Sequence, residues 1–133
     1  MVLVDSNVLT DIFTEDAAWF AWSAEQLVKA RERTMLAVNP IIFAEISPNF
    51  DSLKEIEEAL PESDYLRLEL PYAASFLTGQ AYVRYRRQGG RRALPLPDFY
   101  IGAHAQVEEL ELLTRDAQRY RTYFPEVRLI APD

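Results

Sequence analysis

Four acids stand out in this sequence because of what surrounds them: Asp5, Glu45, Asp98 and Asp116. Asp5 ends the apolar run Val2-Leu3-Val4, and Asp116 closes Leu112-Leu113-Thr114-Arg115. Glu45 lies within Ile41-Ile42-Phe43-Ala44-Glu45-Ile46, and Asp98 follows Pro97 ahead of Phe99-Tyr100-Ile101. Carboxylates gathered in one cleft repel each other and raise each other's pKa values, so a cluster of four needs cations to neutralise it. Hard oxygen ligands favour Mg²⁺ or Mn²⁺. Two such ions ~4 Å apart suit in-line phosphodiester hydrolysis, one activating water and the other stabilising the leaving oxygen.

Each acid taken singly also has an ordinary reading. Asp98 and Asp116 stand where helix N-caps stand, and Glu45 reads as a solvated helix residue. Asp5 carries the strongest individual signal, since an acid ending an apolar N-terminal strand commonly sits at a binding edge. It is the four together that argue for chemistry. The one histidine, His104, falls six residues after Asp98 and so off its helical face, which reads as packing or surface polarity. With one histidine and no cysteine, a His-based zinc site, a catalytic His triad and a disulfide framework all lose support.

The elements that must position these acids alternate between strands and helices. Strands are expected at 2–4, 35–38, 65–68, 112–114 and 127–130. Helices are expected at 7–13, 17–33, 40–47, 51–59, 71–88, 98–110 and 117–123. Trp19, Phe20, Ala24, Leu27 and Val28 form the apolar side of the second helix, and Ala73, Phe76, Leu77, Ala81 and Tyr85 that of the fifth. Asn39-Pro40 is a cap followed by proline at the first helical position. Pro48 stops that helix, and Gly89-Gly90 end the fifth. Such alternation predicts an α/β fold: a single three-layer α/β/α domain over 1–133, with a central, mainly parallel sheet of four to five strands.

In such a sheet the strand-to-helix junctions share one edge, where ligands bind. Asp5 follows the first strand directly. The helix after Asp98 spans ~20 Å, so it descends the sheet and the strand before Asp116 climbs back. Glu45 lies more than a turn inside its helix, but helical side chains lean toward the N-terminus. All four acids can therefore meet.

Charge argues partly against a nucleic-acid partner, because the net charge is -7 and binders of nucleic acid tend to be basic. The charges are nevertheless segregated. Residues 51–64 hold six acids and one lysine, whereas 84–92 hold five arginines and no acid. Arg84, Arg86, Arg87, Arg91 and Arg92, with Tyr82 and Tyr85 interleaved, are candidates to grip RNA phosphates while the tyrosines stack on bases. The competing readings are a solvated helix end that complements the helix dipole and pairing with the acidic 51–64 stretch. No apolar run approaches the ~20 residues that cross a bilayer, and no secretory leader is recognisable, so a cytoplasmic location is expected.

The four acidic segments resemble a known family. Asp5-Ser6-Asn7-Val8-Leu9 looks like the opening motif of PIN domains, and Asn39-Pro40-Ile41-Ile42-Phe43-Ala44-Glu45-Ile46 is similar to the segment carrying their glutamate. Pro97-Asp98-Phe99-Tyr100-Ile101-Gly102-Ala103-His104-Ala105 resembles the third acidic motif. Leu113-Thr114-Arg115-Asp116, with Arg119-Tyr120 and Tyr123-Phe124-Pro125 after it, resembles the last. The likeness runs over the whole chain in order and is closest to VapC-type toxins of toxin–antitoxin pairs. It implies a metal-dependent endoribonuclease acting on transfer or ribosomal RNA, a homodimer, and a small cognate antitoxin. It also implies Asp5, Glu45, Asp98 and Asp116 as Mg²⁺ or Mn²⁺ ligands, with Asn7 and Thr114 supporting them by hydrogen bonds.

Two other classes remain open. A phosphatase of the haloacid dehalogenase type wants a second acid at the position of Asn7, and a phosphoryl receiver wants a lysine near the last strand, whereas the lysines here are Lys29 and Lys54. A catalytically silent binding module on the same fold is the third class.

Overall fold

The structure is a computed structural model describing residues 1–89 and 96–132. Three short apolar runs form its centre: β1 (Val2–Val4), β2 (Leu36–Val38) and β4 (Glu111–Leu113). Val2, Leu3, Val4, Leu36, Ala37, Val38, Leu112 and Leu113 are all buried. A strand covered on both faces has no solvent side, which is why these runs are continuously hydrophobic rather than alternating. The flanking strands β3 (Tyr65–Arg67) and β5 (Leu129–Ile130) are only partly covered. All pairings are parallel, in the order β3-β2-β1-β4-β5. The expected mainly parallel α/β/α sheet is therefore present, with five strands.

Among the described residues, seven helices flank the sheet: α1 (Ser6–Phe13), α2 (Phe20–Arg33), α3 (Pro40–Ile46), α4 (Leu53–Ala59), α5 (Tyr72–Arg87), α6 (Leu96–Val107) and α7 (Ala117–Tyr123). α2 starts three residues later than expected. Asp16 Oδ1 accepts from the backbone N–H groups of Ala18 (2.9 Å) and Trp19 (2.8 Å), holding residues 17–19 in a turn. α3 ends at Ile46 with Ser47 as its C-cap, ahead of Pro48 as expected, and Pro48 sits inside a 3-10 turn over Ser47–Asn49. α6 begins at Leu96, so Asp98 is its third residue and not its cap.

The inner faces of two helices differ from the expected ones. α2 buries Ser23, Leu27 and Ala30, while Val28 is 57% exposed. α5 buries Ala74, Thr78, Ala81 and Tyr85, leaving Phe76 70% exposed. In α5 small side chains face α6, so two helices can lie close; apolar size is not what marks the buried side. Tyr85 packs against Phe99 and Tyr123, and Tyr82 meets Phe99 edge-on. These rings belong to the packing between α5, α6 and α7, so Tyr85 is not free to stack on a base.

Gly89, at φ +77°, follows the C-cap Gln88 of α5. That left-handed conformation suits glycine and closes the helix. The expected stop at Gly90, together with Arg91 and Arg92, lies outside the described residues.

Candidate metal centre and nucleic-acid interface

Asp5 occupies the junction between β1 and α1, and its backbone N–H still donates to Leu113 of β4 at 2.9 Å. The side chain is 2% exposed and saturated with donors. Oδ1 accepts from the backbone N–H of Ser6 at 2.8 Å, capping α1. Oδ2 accepts from the Thr114 hydroxyl (2.8 Å), the Tyr120 hydroxyl (2.8 Å) and the Asn7 amide (3.4 Å). A buried carboxylate survives only with such partners. Burial still wins: it pushes the Asp5 pKa up, against the bonds from Tyr120, Thr114 and Ser6 and the nearby Arg119 charge. Burial, and after it the same carboxylate, push the Tyr120 phenol well above its ordinary value.

Glu45 is reached from α1. Ser6 Oγ donates to Glu45 Oε1 at 2.9 Å and lies 3.4 Å from Asp5 Oδ1, so one hydroxyl ties the two acids. This is the backward reach expected of a glutamate within a helix. Burial raises its pKa, as do the charges of Asp5 and Asp98. Asp98 in the first turn of α6 is 6% exposed, and burial raises its pKa too, with Asp5 and Asp116 adding to the rise and Arg119 opposing it. Asp116 precedes α7 but makes no capping bond with its side chain; its backbone N–H donates to Thr114 Oγ1 at 3.0 Å.

Arg119 completes the arrangement. Its Nη1 lies 2.9 Å from Asp98 Oδ2 and its Nε 2.7 Å from Asp116 Oδ2. The four acids thus share one edge, where Glu45 and Asp98 feel neighbouring carboxylates, but Ser6 and Arg119 stand between them. Among the described residues, no three acidic or histidine side chains are placed to hold a metal ion jointly. The donor chemistry fits a hard divalent ion nonetheless: the edge is rich in carboxylate oxygens, burial raises the pKa values of Asp5, Glu45 and Asp98, and neighbouring carboxylates raise those of Glu45 and Asp98 further.

Asn7 and Thr114 lie where hydrogen bonds to Asp5 require. Asn7 Nδ2 also reaches Thr114 Oγ1 at 3.3 Å, and its Oδ1 accepts from the Arg115 backbone N–H at 3.3 Å. Ser6, Arg119 and Tyr120 were not singled out from sequence. Ser6 had a signal in its place beside Asp5, and Arg119 in its i,i+3 spacing from Asp116; nothing local pointed Tyr120 at a residue 115 positions away.

Arg84, Arg86 and Arg87 form the exposed last turn of α5. Among the described residues they form no ion pair with the acidic stretch: Glu57 and Glu62 face Arg67, and Asp64 faces Arg31. Arg84 Nη2 donates to the Tyr123 carbonyl at 3.3 Å, and the Tyr123 hydroxyl donates to Gln88 at 3.0 Å. The basic end of α5 therefore touches the far end of α7, whose other end carries Asp116. Seven helical residues span ~10 Å. A cavity of about 620 Å³ lies elsewhere; it is an apolar groove between α3 and α4 that includes Phe43, Leu53 and Leu68 and none of the four acids.

His104 is 1% exposed and supports the site from below. Asn39 Oδ1 accepts from the Ile42 N–H, capping the helix that bears Glu45, so its Nδ2 must donate to His104 Nδ1, at 2.9 Å. The ring is thereby fixed as neutral with its proton on Nε2, and burial lowers its pKa while Glu108 opposes the drop. For a base held neutral, the stabilisation is present above the unfolded value near 6.5 and is lost as pH falls through the lower folded value. Asp5, Glu45 and Asp98 move stability the opposite way in acid, so the clean measurement is an NMR titration of the one imidazole. An apparent pKa below 6.5 is expected; a value at or above it contradicts the buried neutral ring.

A five-stranded parallel sheet with acids at the carboxyl ends of its central strands defines the class: an α/β/α domain with an acidic edge suited to divalent ions. The chain belongs to the PIN domain family, whose sequence model matches residues 2–125. No curated protein matches the sequence. Among solved structures, the fold is shared with VapBC2 from Rickettsia felis bound to a promoter DNA fragment, at TM-score 0.75 and 16% identity over 100% of both chains. VapBC-1 from nontypeable Haemophilus influenzae gives TM-score 0.74 at 13% identity, covering 98% of each chain. A toxin–antitoxin complex from Klebsiella pneumoniae gives 0.64 at 22% identity, covering 90% of each. Among the described residues no helix is long and apolar enough to cross a membrane.

Proposed function

We propose that this chain is a metal-dependent endoribonuclease, the toxin of a toxin–antitoxin pair, with transfer or ribosomal RNA as substrate class. The observation that carries the reading is Asp5: a buried carboxylate at the end of the central strand, tied through Ser6 to Glu45 and sharing its edge with Asp98 and Asp116. A fold that spends this much burial on carboxylates at its ligand-binding edge gains something other than stability. Membership of the PIN family, and a fold shared with toxin–antitoxin complexes, support the toxin assignment and an antitoxin partner; the homodimer rests on the sequence resemblance alone.

Asp5, Glu45, Asp98 and Asp116 would hold Mg²⁺ or Mn²⁺, which when bound supplies an activated water and stabilises charge on the phosphate. Thr114, Asn7 and Tyr120 orient the Asp5 carboxylate, and Ser6 orients Glu45. Arg84, Arg86 and Arg87 would bind phosphates of the RNA beyond the cleaved bond.

The test is cleavage of single-stranded and transfer RNA by the full chain with Mn²⁺, against an EDTA control and a small phosphate ester. Cleavage that needs the metal supports the reading. Phosphate release from the ester favours the phosphatase class, and metal binding with no RNA cleavage favours a silent binding module. The arginines have their own expected result. Replacing Arg86 and Arg87 by alanine makes the plot of log affinity against log salt shallower by about 1.4, since each phosphate contact on a single strand contributes ~0.7. An unchanged slope removes them from the interface.

A further inference from the structure

Arg119 brings a positive charge to the acidic edge. Its guanidinium is a fork with Nε on Asp116 Oδ2 and Nη1 on Asp98 Oδ2, linking the two acids that α6 and α7 bring to the edge. We propose that Arg119 is the resident counter-ion of this edge, and that a divalent ion binds by displacing it from Asp98 and Asp116. This rests on the metal-dependent reading above.

Two arguments favour displacement over a guanidinium that merely positions the acids. The oxygens that Arg119 engages are ones a shared cation would need, and a dication and a guanidinium on the same oxygens repel. Arg119 also has somewhere to go. Its side chain is 38% exposed and borders an open cleft of about 320 Å³, lined with Asp116, Gln118, Thr122 and Tyr123, so it can swing outward without disturbing the core. Arg115 makes the contrast. It bonds Asp11, which is 1% exposed and also held by Ser23, and its guanidinium lies over the Trp19 ring, so that arginine is a fixed brace between α1, α2 and the turn before Asp116. Once displaced, the Arg119 fork stands beside Asp116 with its donors free for a phosphate.

The experiment is calorimetric titration of Mn²⁺ into the EDTA-stripped full chain, comparing the parent with Arg119→Met and Arg119→Gln and following melting temperature in parallel. Both variants keep the stem length that covers the site, and either one suffices if the other fails to fold. The expected result is Mn²⁺ affinity higher by about tenfold in the variants, the size expected from freeing two ion pairs of a partly exposed guanidinium. The melting temperature should also rise more on adding Mn²⁺ than it does in the parent. Equal or weaker binding in both variants, with the parent binding Mn²⁺, overturns the displacement and leaves the metal site standing. Binding by the variants alone supports it in its strongest form. No binding by any of the three overturns both this inference and the metal-dependent reading.

Discussion

Asp5→Asn is expected to lower metal-dependent RNA cleavage by ~10³-fold or more while leaving the protein as stable as before, or more stable. The loss follows from removing an anionic ligand from the edge, because metal-ion stabilisation of a transition state supplies several kcal/mol and each 1.36 kcal/mol is tenfold in rate. The stability follows from linkage. Burial raises the Asp5 pKa, so the contribution of this group is fully present below its ordinary value of 3.8 and is lost as pH rises through the folded value. At neutral pH the ionised carboxylate therefore costs stability, and a neutral amide of the same shape does not. The asparagine carbonyl keeps the cap on Ser6, and its amide faces the Tyr120 hydroxyl, which can rotate to accept; Thr114 Oγ1 already accepts from Asn7 and Asp116 and loses its acceptor, which offsets part of the gain. The pair of measurements is RNA cleavage under Mn²⁺ and thermal melting at pH 7.5. Cleavage within tenfold of the parent would remove Asp5 from the chemistry, and a variant that unfolds would make it a structural residue.

The second large effect is on the fold. Gly102 lies on α6, where an added Cβ would stand 2.4 Å from Phe124 Cδ2, 2.7 Å from Cε2 and 2.9 Å from Cγ. Phe124 is 2% exposed and its ring also packs against Phe99, so it has little freedom to retreat. Overpacking of this kind costs ~3 kcal/mol, offset by ~1 kcal/mol from the better helix propensity of alanine. Gly102→Ala should thus lose ~2 kcal/mol, a drop in melting temperature of roughly 6–10 °C for a domain of this size. Phe124→Leu in the same chain should recover part of the loss, since the leucine vacates the ring atoms that clash. A melting temperature unchanged by Gly102→Ala would mean that α6 and the segment after α7 are further apart than the structure places them.

Much of the frame was legible because it depends on local chemistry. β1, β2 and β4 announced themselves as short unbroken apolar runs, which only strands buried on both faces need to be. Asn39-Pro40 marked the start of α3 through capping, a matter of adjacent residues. The inner faces of α2 and α5 were not legible. Ser23 and Thr78 are buried because a partner awaits them: Asp11 for the first, the Ala74 and Phe99 carbonyls for the second. Hydrophobic periodicity cannot register a polar residue that folding satisfies. For the same reason it promoted Phe76 and Val28 to the core, where they are not. His104 was read as packing; its part in fixing the Asn39 cap depends on two helices 65 residues apart meeting.

The sequence by itself determined which carboxylates stand at strand and helix junctions, since each junction is written in a few neighbouring residues. The tertiary structure alone decided how those carboxylates are neutralised. Strand order places β1 between β2 and β4, and this brings Ser6 to Glu45 and Thr114 and Tyr120 to Asp5. The Arg119 fork across Asp98 and Asp116 likewise exists only once α6 and α7 pack side by side. Local propensity names the groups that carry charge, but which opposite charge or hydroxyl meets them depends on contacts across the whole chain, where distance along the sequence carries no information.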